Sequence, residues 1–414
     1  MLQSLQRKFH NVLFILAYSG IIRGVIIPPH LSHLPAPAPD AQALSDQLSA
    51  LIVQKISAAG GWISFARYME LALYAPGLGY YSAGSRKLGE GGDFVTAPEM
   101  SPLFARCIAR QLAQWHGEGL RRVLEIGAGS GALAVELLLE LAVLGCVPDS
   151  YLILELSGDL RERQKAALAQ HVPALFERVQ WLDELPALFE GVILANEVLD
   201  ATPAHVITTC GGEALESFVK HNSTLNSFHW FETRASEEIR LAVDGIQLPD
   251  NYRTEFNLTS RALVASLARL LTRGVMLFID YGFPAREFYH PQRSQGTLMC
   301  HYRHHAHDDP FAFVGLQDIT THVDFSAIAA VALEGGAGVL GYTTQANFLI
   351  NCGITELLSA IPASDTRAYA PRAAQAQKLL SPAEMGELFK VIALGKNVDT
   401  PPLGFARGDK SHTL

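Results

Sequence analysis

The stretch Val123-Leu124-Glu125-Ile126-Gly127-Ala128-Gly129-Ser130-Gly131 constrains this chain more than any other. An apolar run carrying an acid leads into three alternating glycines. Ala132 to Leu144 then follows with apolar residues at helical spacing. The pattern predicts a strand, a tight loop and a helix. Glycines let the backbone turn sharply and bring a ligand close to the amides that open the helix. The next apolar strand, Tyr151-Leu152-Ile153-Leu154, runs into Glu155, 24 residues beyond Gly131. A carboxylate there can accept hydrogen bonds from ribose hydroxyls. Together these features describe a βαβ unit that binds a nucleoside.

Further strands are expected in order. Val179–Leu182 is a candidate third, Gly191–Ala195 a fourth that runs into Asn196-Glu197-Val198-Leu199-Asp200, and Val275–Asp280 a fifth. Continuous apolar strands of this kind belong to parallel sheets buried on both faces. Residues 41–120 read as helical, with Ser64 capping a helix over Phe65–Leu73 and a glycine- and tyrosine-rich loop from Pro76 to Asp93. Residues 121–400 hold the sheet, with insertions at about 205–260 and a loop-like one at about 283–325, and residues 401–414 form a tail. Ser381-Pro382-Ala383-Glu384 is a capping box with proline at the first helical position, and predicts a helix leading to a strand over Phe389–Leu394.

With 414 residues, 49% hydrophobic and 18% charged, the chain has ample material for a large core. A net charge of −9 and the lack of any lysine- or arginine-rich block argue against a sequence-independent nucleic-acid binder. Five scattered cysteines without a Cys-x-x-Cys pair indicate free thiols in a reducing compartment. The sequons at Asn222 and Asn257 are then chance matches. Residues 1–40 stand apart: no acid precedes Asp40, and basic residues flank the apolar run Val12–Ile22, which is too short and interrupted for a membrane span. They read as a targeting peptide or an upstream start, followed by a Pro/Ala linker over Pro35–Pro39.

Taken alone, the glycine loop also satisfies a dinucleotide pattern, Gly127-x-Gly129-x-x-Ala132, so a nicotinamide dehydrogenase is the competing reading. Three features favour S-adenosylmethionine (SAM). Glu125 stands two residues before the first glycine, where a carboxylate can orient the loop. Glycine recurs at Gly131. The fourth strand ends in the acidic Asn196-Glu197-x-x-Asp200, where a nicotinamide enzyme needs a neutral floor.

Several longer strings resemble one family. Gly92-Asp93-Phe94-Val95-Thr96-Ala97-Pro98-Glu99-Met100-Ser101, Asn196–Ala201 and Gly296-Thr297-Leu298 are similar to segments of the NDUFAF7/MidA family of class I SAM-dependent methyltransferases. So are Asp309-Pro310, Gly315–Thr320 and His322–Phe325, and the resemblance spans about residues 45–395. It implies an α/β, Rossmann-like methyltransferase with a doubly wound, mostly parallel seven-stranded sheet, a helical N-terminal segment and insertions. It also implies SAM as cofactor and a protein arginine as acceptor, on the 49-kDa subunit of complex I or its bacterial counterpart. Mitochondrial members serve complex I assembly there, forming symmetric dimethylarginine. The compartment is the mitochondrial matrix in a eukaryote and the cytoplasm in a bacterium. A homodimer is compatible with this; nucleic-acid binding and stable membrane insertion are not expected. By resemblance, Glu125, Gly127, Gly129, Gly131 and Glu155 hold the cofactor, while Asp93 and Glu99 close over its methionine end. The chain departs from the family at Ala128, where proline is common, and at Met299, where arginine is usual.

The acids suit a guanidinium acceptor. That group stays protonated, with a pKa above about 12, so an enzyme must align it as well as take its proton. Glu197 and Asp200 are the candidate aligning and catalytic carboxylates, and Asn196 can accept from the adenine or the substrate. Plain structural readings stand beside these: Glu155 as a solvated strand end, Glu197 and Asp200 as helix caps, Asp93 as a turn-former. His301, His304, His305 and His307 have metal-ligand spacing but complete no recognised ligand set, and a substrate-lining loop is the better reading. An assembly factor that binds SAM without turnover is the remaining alternative.

Overall fold

The computed structural model describes residues 31, 33–83 and 96–414. A helix over Pro39–Ala58 starts at the last proline of the Pro/Ala stretch. The short strand β1 (Ile63–Ser64) leads to the helix Phe65–Tyr74, whose cap is the expected one: Ser64 Oγ accepts from the Arg67 amide at 3.2 Å. After the helix Pro102–Gly117 come β2 (Arg122–Ile126), the helix Ala132–Val143, β3 (Ser150–Leu154), the helix Gly158–His171, β4 (Val179–Leu182) and β5 (Phe189–Asn196). Next are β6 (His205–Cys210), β7 (Glu213–Asn222), β8 (Ser227–Arg234) and β9 (Arg253–Phe256), then the helix Leu258–Leu270 and β10 (Leu271–Phe283). The remaining strands are β11 (Met299–Tyr302), β12 (His305–His307), β13 (Asp318–Thr320), β14 (Val323–Asp324), β15 (Gly338–Thr344) and β16 (Phe389–Lys396).

The main sheet has the order β15-β16-β10-β5-β2-β3-β4, with β14 added beside the end of β10. Strands β4, β3, β2, β5 and β10 run parallel, and β16 lies antiparallel to both β10 and β15. The chain starts in the middle at β2, steps outward through β3 and β4, then returns to the other side of β2 as β5. That reversal opens a crevice at the carboxyl ends of β2 and β5, the usual ligand position in such sheets.

Both sheet faces are covered, so alternate residues serve two cores. Val123, Val192, Leu194, Val275, Leu277 and Ile279 pack with the helices Pro102–Gly117 and Ala132–Val143. Leu124, Ile193, Met276 and Phe278 pack with Leu258–Leu270 and Phe325–Glu334. Gly191 and Gly274 are register partners on β5 and β10, at φ +142° and +144°. A Cβ on Gly274 would stand 1.9 Å from the Gly191 carbonyl oxygen, and one on Gly191 would stand 2.3 Å from that of Arg122. Backbone approaches this close exclude any side chain.

Three expectations need revision. The insertion at 205–260 is an ordered antiparallel sheet, with β8 on β7 and a path β1-β7-β6-β9. The segment 283–325 contains the three-stranded sheet β12-β11-β13 where loops were expected. The N-terminal helices join both: Leu48, Ile52, Phe65, Tyr68 and Met69 share one apolar core with Val206, Val219, Cys300 and Ile319. Third, Ser381–Glu384 opens no helix. Residues 382–388 form turns, with the Gly386 amide donating to Ser381 O at 2.9 Å. A Cβ on Gly386 would meet Leu380 O at 2.2 Å, so the chain is folded back there too tightly for a helical path.

Gly274→Ala is expected to destabilise the protein by about 3 kcal/mol or more, because neither strand can move without breaking the ladder. Gly145→Ala, at φ +69° with nothing within 4 Å, should cost only about 1–2 kcal/mol of backbone strain. Urea denaturation of the two variants checks the contrast; equal losses would contradict it.

Candidate functional site

A cavity of about 1720 Å³ opens at the carboxyl ends of β2 and β5. Its floor is the glycine loop. Gly127, Gly129 and Gly131 sit at φ +67°, +55° and +85°, a region other residues enter only with strain. Gly131 is also the N-cap of Ala132–Val143, so the open amides of that helix start face the same space. Gly127 and Gly129 line the cavity, whereas Gly131 stands behind it against Gln164. Burial pushes Glu125 up to about 7, although the Tyr151 hydroxyl donates to its Oε2 at 2.7 Å and draws it back down.

Glu155 lies immediately beyond β3, buried at the cavity wall. Its Oε1 accepts from the Ser157 amide at 3.0 Å and its Oε2 from Gln164 Nε2 at 3.1 Å. Burial raises its pKa, and those two donors oppose the rise. The next residue, Leu156, is 79% exposed while lining the cavity, an unusual place for a large apolar side chain.

Asn196, Glu197 and Asp200 all line the opposite wall, at the end of β5. Glu197 adopts φ +53°, the left-handed region. Asp280, at the end of the neighbouring β10, imposes this shape: its Oδ2 accepts from the amides of Val198, Leu199 and Asp200 at 3.2, 2.9 and 3.3 Å. Burial, then the negative charge of Asp200, pushes Glu197 up to about 8, opposed by the Asn196 side-chain amide at 3.0 Å and the Ala97 amide. Asp200 is raised chiefly by burial, with the Tyr281 hydroxyl pulling it back. Asn196 Oδ1 and Asp200 Oδ1 are buried without a hydrogen-bond partner. Buried acceptors left this way normally meet a ligand or water.

Other parts of the wall escaped the sequence reading. Tyr74 and Tyr81 stack at 5.5 Å, and the Tyr81 hydroxyl donates to both Asp318 oxygens at 3.0 and 3.1 Å. Gly296-Thr297-Leu298 lines the cavity because buried Glu255 on β9 accepts from the Thr297 amide and hydroxyl, both at 2.8 Å, and the Leu298 amide at 3.1 Å. Thr297 and Asp318 lie inside strings that carried the resemblance; Tyr74 and Tyr81 had no signal beyond a tyrosine-rich segment. Glu99 sits in the turn Ala97–Met100, whose Pro98 and Met100 line the cavity while Glu99 itself does not. Gly92, Asp93, Phe94 and Val95 lie outside the described residues. Of the histidine cluster, His301 lines the cavity, His307 is buried on β12, and His304 and His305 are exposed. Among the described residues no group of three or more His, Cys, Asp or Glu is placed to hold a metal.

The raised Glu197 makes stability depend on pH. The native state keeps its proton where the unfolded state has lost it, so its stabilising contribution is complete below about 4.5 and disappears as pH rises through about 8. Glu197→Gln should therefore become progressively more stable than wild type between pH 4.5 and 8. Denaturation curves across that range check this; a constant difference would contradict it.

A profile of the family described as "Putative S-adenosyl-L-methionine-dependent methyltransferase" matches residues 103–343. The mouse and zebrafish mitochondrial proteins named protein arginine methyltransferase NDUFAF7 are 28% and 29% identical, each over 83% of this chain and over 83% and 85% of their own lengths. A COG1565 superfamily member from Burkholderia thailandensis, crystallised with S-adenosyl-homocysteine, is 51% identical. It superimposes with a TM-score of 0.89 over 92% of this chain and all of its own. The dehydrogenase reading falls away, and the chain belongs to this family of α/β, SAM-dependent methyltransferases.

Proposed function

We propose that this protein transfers methyl groups from SAM to an arginine side chain of a protein, with Glu197 and Asp200 as the carboxylates that receive it. The carrying observation is their position: two carboxyls, Asp200 buried and Glu197 half-buried, on the wall facing the glycine loop, each with its pKa raised by desolvation. A guanidinium neutralises such a pair and donates hydrogen bonds to both carboxylates from within its own plane. The names of the curated relatives favour the same acceptor.

The donor fits the other side. Glu155 is placed for the ribose hydroxyls, Leu156 for the adenine face, and the loop Gly127–Gly131 with the helix start behind it for the carboxylate of the methionine end. Glu125 faces the ammonium of that end. Bound SAM supplies a methyl group on a positively charged sulfur. With SAM and the acceptor bound, Glu197 would take the proton that the guanidinium gives up on methylation, because the charge of the arriving cation would leave its carboxyl ionised. Asp200, with Tyr281 beside it, holds the guanidinium plane, and Asn196 Oδ1 accepts from the adenine amine or the substrate.

The cavity exceeds the roughly 300–1,000 Å³ of a single-ligand pocket, which suits a donor plus an inserted side chain of a macromolecule. The favoured acceptor is the bacterial counterpart of the 49-kDa subunit of complex I. The compartment on this reading is the cytoplasm of a bacterium, given the 51% identity to the Burkholderia protein. Among the described residues no helix is long and apolar enough to cross a membrane.

Glu197→Gln and Asp200→Asn should each lower kcat about 100-fold or more while changing SAM affinity less than about threefold. Labelled SAM, purified protein and the candidate subunit, with mass spectrometry of the product, make the test. Intact transfer by both variants would remove the assigned roles. Binding of SAM without transfer to any protein arginine would favour the assembly-factor reading.

A further inference from the structure

The buried side chain of Gln164 lies within the helix Gly158–His171 and joins two cavity-lining elements, the glycine loop and Glu155, to β4 behind them. Its Nε2 donates to Gly129 O at 2.8 Å and to Glu155 Oε2 at 3.1 Å. Its Oε1 accepts from Trp181 Nε1, on β4, at 2.9 Å. One neutral amide thus uses both donors and an acceptor lone pair, with no charge added to a buried site. The contact is close as well as polar: a Cβ on Gly131 would lie 3.3 Å from Gln164 Cα.

We infer that Gln164 is a positioning residue for donor binding, which sets the Glu155 carboxylate and the glycine loop at a fixed separation. This rests on the proposed role of Glu155 at the ribose. A carboxylate has about four lone-pair sites; Ser157 N takes one on Oε1, Gln164 Nε2 one on Oε2, and the Leu156 amide also donates to the group, which leaves room for a ribose hydroxyl. Without the Gln164 donor the carboxyl could rotate about its terminal torsion, which has broad minima. The same amide holds the carbonyl of Gly129, so the loop that meets the methionine end and the acid that meets the sugar are locked together. The distance between the two ends of the ligand is thereby matched before it arrives, and preorganisation of this kind appears as affinity. Arg161 performs a different task nearby: its Nε donates to Glu155 O and its guanidinium pairs with Asp183, so it anchors the backbone while its charge draws the Glu155 pKa down.

Glu155 is reached through Gln164, so the test must separate the two residues. Calorimetry with S-adenosyl-homocysteine on the full chain gives Kd for wild type, Gln164→Leu, Glu155→Gln and the double variant. Varying SAM then gives kcat and KM for methyl transfer wherever an acceptor is in hand. Gln164→Leu keeps the volume and removes all three hydrogen bonds. It should raise Kd about tenfold, raise KM for SAM to match, and change kcat by less than about threefold. The double variant should bind no more weakly than Glu155→Gln by more than about twofold, because the two losses share one contact. Gln164→Glu, which sets a second carboxylate against Glu155, should bind worse than Gln164→Leu at pH 8 and recover toward it near pH 5.

A Gln164→Leu protein with wild-type Kd overturns the inference while leaving Glu155 at the ribose, provided Glu155→Gln is weakened. Fully multiplicative losses in the double variant also overturn it, since Gln164 would then act independently. If Glu155→Gln itself binds normally, the ribose assignment fails, and the inference fails with it. Should Gln164→Leu be poorly folded, Gln164→Glu at the two pH values carries the test alone, and an affinity ratio to wild type that does not change with pH overturns the inference.

Discussion

The contact on which the site depends is Asp280 Oδ2 with the amides of Val198, Leu199 and Asp200. A carboxylate at the end of one strand holds the loop that leaves its neighbour. Three donors converge on one oxygen, and Tyr281 N donates to the other at 3.0 Å. This forces the chain to turn at Glu197 through a left-handed conformation that a glutamate ordinarily avoids. The turn places Glu197 and Asp200 on the cavity side, where the charge of Asp200 raises the affinity of Glu197 for its proton and both raise that of Asp280. A straight exit from β5 would send both into solvent, where neither would differ from a surface acid.

The rest of the architecture keeps that carboxyl group dry. The β6–β9 sheet, the β11–β13 sheet and the two N-terminal helices share one apolar core, and their inner edge supplies Tyr74, Tyr81, Thr297, His301 and Asp318 to the wall. Glu255 reaches from one insertion to fix the Gly296-Thr297-Leu298 turn of the other, and Thr297 Oγ1 in turn accepts from the His322 amide at 3.0 Å. Gly296 leaves no alternative residue there, since a Cβ would lie 2.2 Å from Glu255 Oε1. The insertions are therefore structural walls of the cavity, held together by buried polar contacts such as those of Glu255.

The parallel sheet was legible because a strand buried on both faces must be apolar at every position, and the glycine loop because φ values of +55° to +85° require glycine. The site acids were legible where they ended strands: Glu155, Glu197 and Asp200 stand at the carboxyl edge that any switch-point sheet uses. The strands inside the insertions were not, because they alternate polar and apolar residues and their partners lie far away in sequence, as with Ile63 on Val219. The capping box at Ser381 failed for a related reason: a local signal of about 1 kcal/mol was overruled by the tertiary need to turn within seven residues into β16. Gln164 was invisible. A glutamine among Arg161, Glu162, Arg163 and Lys165 on a polar helix reads as solvent-facing, and only the approach of Gly131, Glu155 and Trp181 makes it interior.

Electrostatics connects the two halves of the cavity. Desolvation pushes Glu197 up to about 8 and Asp200 up to about 6, so at neutral pH Glu197 keeps its proton beside the negative charge of Asp200. On the proposed reading, an arriving guanidinium displaces that proton, and Glu197 becomes ionised only when the acceptor is present. A neutral acceptor would leave Glu197 largely protonated near pH 7 and unable to receive a further proton. The sulfonium of the donor carries a positive charge of its own, so two cations must lie side by side before transfer. That is tolerable only where negative charge has been concentrated in advance, and the burial that raises Glu197 and Asp200 is what concentrates it. Selection for a cationic acceptor and readiness for proton uptake then follow from one arrangement of buried acids, without a separate device for either.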